Sequence, residues 1–196
     1  MKPTLSDADR ANYDHVTAIL DAWLDPGYHD WVVRVGRSAA SRVSAKARKV
    51  GSRGDELIRD DLDKGKFKLR KADPKEVVHC MNAWSQWYKG NPVVSHHVRS
   101  WDDELRVTGE YDLEGETALI DVKAGARIYP RYWLQVAKYN AMSGLNKPKI
   151  AILRLDPFWG TPDYVDKPHS DGLVRVFDAM LVVSRYFKVM EDQDAS

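Results

Sequence analysis

The sequence predicts an α/β fold in which a mixed central β-sheet is flanked by helices. Before Gly90, apolar residues recur at helical spacing. After Gly90-Asn91-Pro92 the period becomes that of strands, and a further helix and strand follow. Helices, a three-strand meander and a strand–helix–strand crossover together give a mixed sheet covered by helices.

The composition fits a soluble chain that can bury a full core. The chain has 196 residues, of which 43% are hydrophobic, and no apolar run approaches the length of a membrane span. Acidic residues near the N-terminus replace the cationic and apolar regions of a signal peptide, so we expect an intracellular protein. Cys80 is the single cysteine, which excludes an internal disulfide or a thiolate-held metal. Any metal would therefore use oxygen or imidazole ligands.

The first ninety residues are predicted to be helical. Ser6 can cap the first helix, and Asp25-Pro26-Gly27 ends it. Gly51 to Asp55 separates the second helix from the third, and Pro74 suits the first turn of the fourth. The predicted helices are Ser6 to Leu24, Arg37 to Val50, Glu56 to Asp63 and Pro74 to Tyr88.

The second half is predicted to hold the sheet. The predicted strands are Val93 to Arg99, Leu105 to Leu113, Thr117 to Lys123 and Lys149 to Leu155, with a hairpin turn at Glu114-Gly115-Glu116. The predicted helices are Pro130 to Ser143 and Leu173 to Met190, separated from the last strand by a long loop from Asp156 to Gly172. We predict one domain over residues 1–196, with a helical part (1–90), a core sheet and helix (91–155), and a long loop with a closing helix (156–196).

The basic residues are unevenly distributed, although the formal net charge is only +1. No acidic residue occurs from Val32 to Arg53, which indicates an anionic partner bound at one surface. The alternative is an ordinary solvated helix face. The residues that we predict to contact a phosphate backbone are Arg42, Lys46, Lys49, Ser52 and Arg53.

Two acids and a lysine on neighbouring strands form the candidate site. Asp121 and Lys123 share one face of their strand because successive side chains alternate. Asp112, Asp121 and the main-chain carbonyl of Val122 offer the oxygen ligands that magnesium prefers. Lys123 could orient an attacking water or offset negative charge in a transition state.

The distance between the two acids depends on the hairpin. A flat ladder turning at Glu114-Gly115 would place Asp112 opposite Thr117, roughly 13 Å from Asp121 at ~3.3 Å per residue. A shared metal therefore requires the strands to twist, splay or carry a bulge near Gly109 to Asp112.

A helix follows the candidate site and carries Gln135 and Tyr139 on one face, at i and i+4. Core packing explains the apolar members of this face. Gln135 needs a hydrogen-bond partner among apolar neighbours, and Lys123 or a phosphate would serve.

These motifs resemble those of the PD-(D/E)xK nuclease clan, in its RecB-like and lambda-exonuclease-like branch. Gly109-x-x-Asp112, Asp121-Val122-Lys123 and Gln135-x-x-x-Tyr139 occur in the same order as in that branch. The resemblance implies a restriction-endonuclease-like core in which Asp112 and Asp121 bind metal and Lys123 is catalytic. It also implies that Gln135 and Tyr139 position Lys123 or the DNA. An earlier G-(S/T)-x-x-H element is similar to Gly51 to Asp55, where Asp55 replaces the histidine ligand.

The resemblance implies a deoxyribonuclease dependent on Mg²⁺ or Mn²⁺. We expect an exonuclease acting on DNA ends in recombination or repair, in the cytoplasm of a bacterium or phage-infected host. A structure-specific or nicking endonuclease and an inactive DNA-binding module are the alternatives. The sequence lacks a P-loop, so unwinding would need a helicase or strand-annealing partner. The lambda-like branch also suggests a homo-oligomer.

Three further groups of residues have two interpretations each. His96 and His97 invite a metal site, but adjacent strand residues are expected to face opposite ways. Trp84 to Tyr88 could stack on bases, although packing in the core is favoured. Glu110 is either an additional acid of the site or a surface residue.

Overall fold

The computed structural model describes residue 6 and residues 10–23 and 26–194. The helices are α1 (Val16–Ala22), α2 (Pro26–Val35), α3 (Arg37–Lys64), α4 (Lys75–Tyr88), α5 (Pro130–Ser143) and α6 (Asp171–Asp194). The strands are β1 (Asp14–His15), β2 (Ser95–Asp102), β3 (Val107–Glu114), β4 (Ala118–Ala124), β5 (Lys149–Leu155) and β6 (Pro162–Pro168).

The strands form a mixed sheet in the order β1-β3-β4-β5-β6, and β2 also pairs with β3. The β4–β5 pair is parallel along its whole length, as the predicted crossover through α5 requires. The β2–β3, β3–β4 and β5–β6 pairs are antiparallel, and the short β1 is parallel to β3. The predicted fold class, a mixed sheet flanked by helices, is confirmed.

Helices cover the sheet on both faces. The residues of α3 and α4 in one buried cluster include Leu57, Ile58, Val77, Met81 and Trp84. The other cluster joins α1, α5 and α6 through residues that include Val16, Leu20, Val136, Phe177 and Leu181. Full burial of each large apolar side chain contributes about 1.5–3 kcal/mol. Trp84 and Trp87 are both buried, which confirms their predicted place in the core.

The N-terminal region differs from the predicted helix Ser6 to Leu24. Asp14 and His15 pair with β3, and α1 begins only at Val16. Residues 7–9 and 24 of the predicted helix lie outside the described residues. The sequence analysis also missed α2, which begins at Pro26. Proline is tolerated in the first turn of a helix, so the Pro-Gly pair starts this helix instead of marking only a stop.

The predicted break at Gly51 to Asp55 is wrong, because α3 runs without interruption from Arg37 to Lys64. Val50, Leu57 and Ile58 are all buried, so one apolar stripe continues across the glycines. A glycine inside a helix costs about 1 kcal/mol relative to alanine, and the burial on either side offsets that cost. The helix ends at Gly65, whose φ of 67° suits a left-handed C-terminal residue.

The predicted long loop from Asp156 to Gly172 is also wrong, since it contains β6. This strand pairs with β5 from Pro162 opposite Leu155 to Pro168 opposite Lys149. Prolines are accepted in an edge strand because only one of its sides needs ladder hydrogen bonds. The connection between β5 and β6 is therefore a short turn.

The closing helix α6 extends beyond the predicted Leu173 to Met190. Phe177 and Leu181 are buried in this helix, whereas Phe187 is exposed. In the part of the chain that the structure describes, no helix is both long enough and apolar enough to cross a membrane.

Candidate active site

The candidate site lies where β3 and β4 separate. Strand β3 pairs with β2 along one edge, and its other edge pairs with β1 at Val107 and with β4 at Leu113 and Glu114. The segment from Gly109 to Asp112 therefore lies between these two pairings on the second edge. The hydrogen bond from Gly115 N–H to Ala118 O closes the hairpin around Glu116 and Thr117.

This turn resolves the distance between the two acids. It lies two residues later than predicted, so the ladder pairs Leu113 with Ile120. The next opposed pair would be Asp112 and Asp121, and not Asp112 and Thr117. The ladder stops at that point, and the N–H of Val122 donates to Asp112 Oδ2 at 2.7 Å. The strands thus splay, as the candidate site requires, and a carboxylate takes the place of a ladder acceptor.

Strand β3 is also irregular at Asp112. Tyr111 packs in the cluster with α5 and α6, whereas Leu113 packs in the cluster with α3 and α4. In a regular strand, residues two positions apart lie on the same face of the sheet. On β2, His97 has a φ of 50°, and the pairing that would join it to Asp112 is missing between two regular segments. Tyr111 and Leu113 therefore lie on opposite faces of the sheet, with Asp112 between them.

Asp121 and Lys123 form an ion pair on the α5 side of β4. The Lys123 ammonium lies 2.9 Å from each oxygen of Asp121 and has the geometry of a hydrogen bond to Oδ1. Asp121 is only 1% exposed, while Lys123 keeps part of its side chain in solvent. The predicted pairing of this acid with this cation is therefore present in the structure.

Burial dominates the protonation of both acids. It raises the pKa of Asp121 to about 7, with the charge of Asp112 adding to the increase and Lys123 opposing it. Burial likewise raises the pKa of Asp112 against the lowering effects of Lys123 and the Val122 N–H. Burial would lower the pKa of Lys123, but the charges of Asp121 and Asp112 raise it above its ordinary value. Burial therefore disfavours the charged form of both carboxylates unless a further positive charge is bound.

The residues of the site fit a divalent cation. Asp121 Oδ2 is buried and, although the Lys123 ammonium lies 2.9 Å away, it accepts no well-aligned hydrogen bond. A buried carboxylate oxygen in this condition favours a further positive partner. Among the described residues, no group of three or more His, Cys, Asp or Glu side chains could hold a metal ion. A cation here would use Asp112, Asp121 and main-chain oxygen such as that of Val122, with water completing the shell. Magnesium and manganese accept such oxygen ligands.

Gly109 makes room for Tyr139. A Cβ on Gly109 would lie 2.4 Å from Tyr139 Cε1, closer than carbon atoms can approach. The Tyr139 ring is buried, and its hydroxyl accepts a hydrogen bond from Gln135 Nε2 at 3.3 Å. Burial raises the pKa of Tyr139, so the hydroxyl stays protonated. The glycine of the first motif and the tyrosine of the third therefore occupy one packing site beside Lys123.

Asp55 lies close enough to influence the pKa of Asp112, but its two oxygens already contact His97 and Arg59. Oδ1 is 2.9 Å from His97 Nε2, and Oδ2 is 3.6 Å from an Arg59 nitrogen. Burial would raise the pKa of Asp55, but His97 and Arg59 lower it below the ordinary value. A metal-ligand role for Asp55 stays a prediction. Glu110 binds the same Arg59 at 3.0 Å.

The alternation rule predicted that the two adjacent histidines face opposite ways, but the structure contradicts this prediction. Their Nδ1 atoms lie 3.2 Å apart, because the positive φ of His97 turns its side chain. His96 reaches Asp63 at 3.4 Å, so both rings contact acids on α3. The sequence contains no signal for a left-handed histidine inside a strand, and the contact of His97 with Asp55 was missed.

The predicted DNA-binding residues lie along α3 but differ in their partners. Lys46 pairs with Glu76, and Arg53 is held by Asp73 at 3.0 Å and by Glu56 at 2.8 Å. Arg42, Lys49 and Ser52 are exposed. Lys49, Ser52 and Arg53 also line a groove of about 490 Å³ with Ala45, Arg48 and Glu56. The basic surface is therefore present, with Arg53 partly neutralised.

The fold that places Asp112, Asp121 and Lys123 together is similar to that of solved exonuclease structures. Among solved structures, the chain is similar to the alkaline exonuclease LHK-Exo from Laribacter hongkongensis, with a TM-score of 0.51, 14% identity and 96% of each chain covered. The structure of LHK-Exo in complex with dAMP gives a TM-score of 0.50 at the same identity and coverage. No protein-family model matches the sequence, and no curated protein matches it.

Proposed function

We propose that the protein is a Mg²⁺- or Mn²⁺-dependent deoxyribonuclease that hydrolyses phosphodiester bonds at DNA ends. The observation that carries this proposal is the convergence of Asp112, Asp121 and Lys123 at the splayed end of β3 and β4, where a buried oxygen of Asp121 accepts no well-aligned hydrogen bond. The fold neighbour LHK-Exo is an exonuclease, which supports DNA as the substrate. Roles in recombination or repair, a helicase or annealing partner, homo-oligomerisation and a cytoplasmic location stay predictions.

The residues of the site would have different roles in hydrolysis. Asp112 and Asp121 would hold the cation, which, when bound, lowers the pKa of an attacking water and stabilises the leaving oxygen. Lys123, paired with Asp121, places a positive charge beside the scissile phosphate and donates a hydrogen bond to water or phosphate oxygen. Tyr139 and Gln135 hold one side of this site through their own hydrogen bond and the contact with Gly109.

Replacing Lys123 with alanine tests the proposal. Loss of a preorganised charge commonly lowers kcat by about 10²–10³-fold, and we expect a loss of that size. The matched control is Lys149→Ala, which removes another strand lysine paired with an aspartate, at 2.9 Å from Asp166. Cleavage is measured on end-labelled linear DNA and on covalently closed circles, with Mg²⁺ or with chelator.

The pattern of cleavage separates the alternatives. Degradation of linear DNA only, lost with chelator and with Lys123→Ala, supports the exonuclease. Nicked circles would instead show an endonuclease. Binding without cleavage at any metal concentration would leave only a DNA-binding module, and equal activity of the Lys123→Ala and wild-type proteins would overturn the assigned site.

The exposed cations of α3 are expected to give DNA binding a steep salt dependence. Each phosphate contact contributes about 0.9 to the slope of log affinity against log salt, so Arg42→Ala with Lys49→Ala should reduce the slope by about 1.8. Affinity for duplex DNA is measured in chelator, so that no cleavage occurs. The control replaces Lys89 and Arg175, two exposed cations outside α3, with the same change in net charge. Equal slopes for the two double variants would identify α3 as a solvated helix face.

A further inference from the structure

Two aromatic side chains stand out from the surface at the turn between β5 and β6. Trp159 is 82% exposed and Phe158 is 59% exposed. Large apolar side chains are normally buried, so adjacent exposure on one turn calls for a partner. Neither side chain contributes to either buried cluster of the described residues.

The turn that carries these aromatics is held rigidly. Asp156 Oδ1 accepts hydrogen bonds from the N–H groups of Phe158 at 2.7 Å and Trp159 at 3.0 Å. Gly160 has a φ of 69° and packs so closely on α4 that an added Cβ would lie 3.3 Å from His79 O. Gln86 Nε2 donates to Gly160 O at 2.9 Å. A rigid turn loses little conformational entropy when its side chains bind a ligand.

The turn is also tied to the strand that carries Lys123. Lys123 lies beside Arg154 in the parallel β4–β5 register, so the carboxyl ends of both strands meet at one edge. Arg154 Nη1 donates to Asp156 Oδ2 at 2.9 Å and to the carbonyl of Gly125 at 3.2 Å, in the loop that follows β4. One guanidinium therefore joins the aromatic turn to the segment directly after the candidate catalytic strand.

We propose that Phe158 and Trp159 form a stacking platform for an unpaired base of the DNA strand that reaches the active site. The inference rests on the proposed function, because it takes its ligand from the neighbouring site. An exposed aromatic ring stacks on any base, since every base presents a π face. The platform would hold single-stranded DNA next to Lys123 without reading its sequence.

The test measures binding of a fluorescent single-stranded oligonucleotide in chelator, where cleavage cannot occur. Stacking is worth enough per base that Trp159→Ala is expected to weaken binding by about tenfold, and Trp159→Phe should restore most of it. Tyr186→Ala is the matched control, because Tyr186 is also an exposed aromatic, at 60%, but lies on α6. Replacing the bases with abasic sites should weaken binding to the wild type and abolish its advantage over Trp159→Ala.

The outcomes separate this inference from the proposed function. If Trp159→Ala and wild type bind single strands equally while the wild type cleaves DNA, the platform is overturned and the nuclease stands. If Trp159→Ala weakens binding but the wild type cleaves no DNA, the stacking platform is supported and the proposed nuclease activity is contradicted. A changed molar mass of Trp159→Ala in light scattering, with unchanged DNA affinity, would assign the aromatics to a protein contact and overturn the platform.

Discussion

Replacing Asp121 with asparagine is expected to abolish binding of the divalent cation and to lower DNA cleavage by about a thousandfold, since a bound metal supplies several kcal/mol of transition-state stabilisation. The carboxylate is buried, and its Oδ2 atom lies 2.9 Å from the Lys123 ammonium without accepting a well-aligned hydrogen bond. Asparagine keeps the shape of the side chain but lacks the charge that attracts a cation. Calorimetric titration with Mn²⁺ measures binding, and the linear-DNA assay measures cleavage.

The stability of the same variant should depend on pH in a defined direction. Because the pKa of Asp121 is raised to about 7, its protonated form favours the folded state, and this stabilisation is complete only below the ordinary pKa of 3.8. It is lost as the pH rises toward 7. Asparagine does not ionise, so without metal the melting temperature of Asp121→Asn relative to wild type should increase from pH 5 to pH 8. If the difference in melting temperature does not change with pH, the charged form of Asp121 does not destabilise the folded state.

The cation provides a second measurement on the wild type. Protons and metal compete for the same carboxylates, so Mg²⁺ should raise the melting temperature more at pH 8 than at pH 5. A cation present at a hundred times its Kd stabilises the folded state by about 2.7 kcal/mol. Equal shifts in wild type and Asp121→Asn would place the metal elsewhere.

Replacing Gly109 with alanine is expected to destabilise the protein by about 1–3 kcal/mol, the usual cost of overpacking a core. The added methyl group would lie 2.4 Å from the buried ring of Tyr139, so the ring or the strand must move. Either movement would displace the residues that pack beside Lys123. We therefore expect cleavage to fall together with stability. Chemical denaturation measures the free energy of unfolding.

Two comparisons show whether the contact with Tyr139 is responsible. Gly51→Ala adds a methyl group to an open position of α3 and should stabilise the protein by up to about 1 kcal/mol, the helical preference for alanine. Combining Gly109→Ala with Tyr139→Ala should cost less than the sum of the two changes, because the clash disappears with the ring. Strict additivity would show that the glycine is required for another reason.

The sequence predicted the order of the main elements because their signals are local. Pro130 and Gly144 bound α5 as expected, and the meander and crossover followed from a change of period. The misassignments arose where tertiary contacts outweigh local preference. Gly51 and Gly54 are helix-breaking in isolation, yet buried neighbours on both sides keep α3 continuous.

The residues of the candidate site were more predictable than their geometry. Asp112, Asp121 and Lys123 were identified by residue type and order, but a turn two residues later than expected changed which residues face each other. Neither the turn at Glu116 and Thr117 nor the left-handed His97 follows from local propensity. Both depend on how β2, β3 and α3 pack.

The Asp112 carboxylate accepts a hydrogen bond from the Val122 N–H, so it has a structural role in addition to its proposed role as a metal ligand. The same side chain that would coordinate the cation also accepts the Val122 N–H at the point where the β3–β4 ladder ends. Under the proposed function, one position would serve both the fold and the metal site, so loss of catalysis alone would not free this acid to change. Retention of aspartate at position 112 in a relative would therefore be weak evidence that the relative still cuts DNA, whereas retention of Lys123 would be more informative.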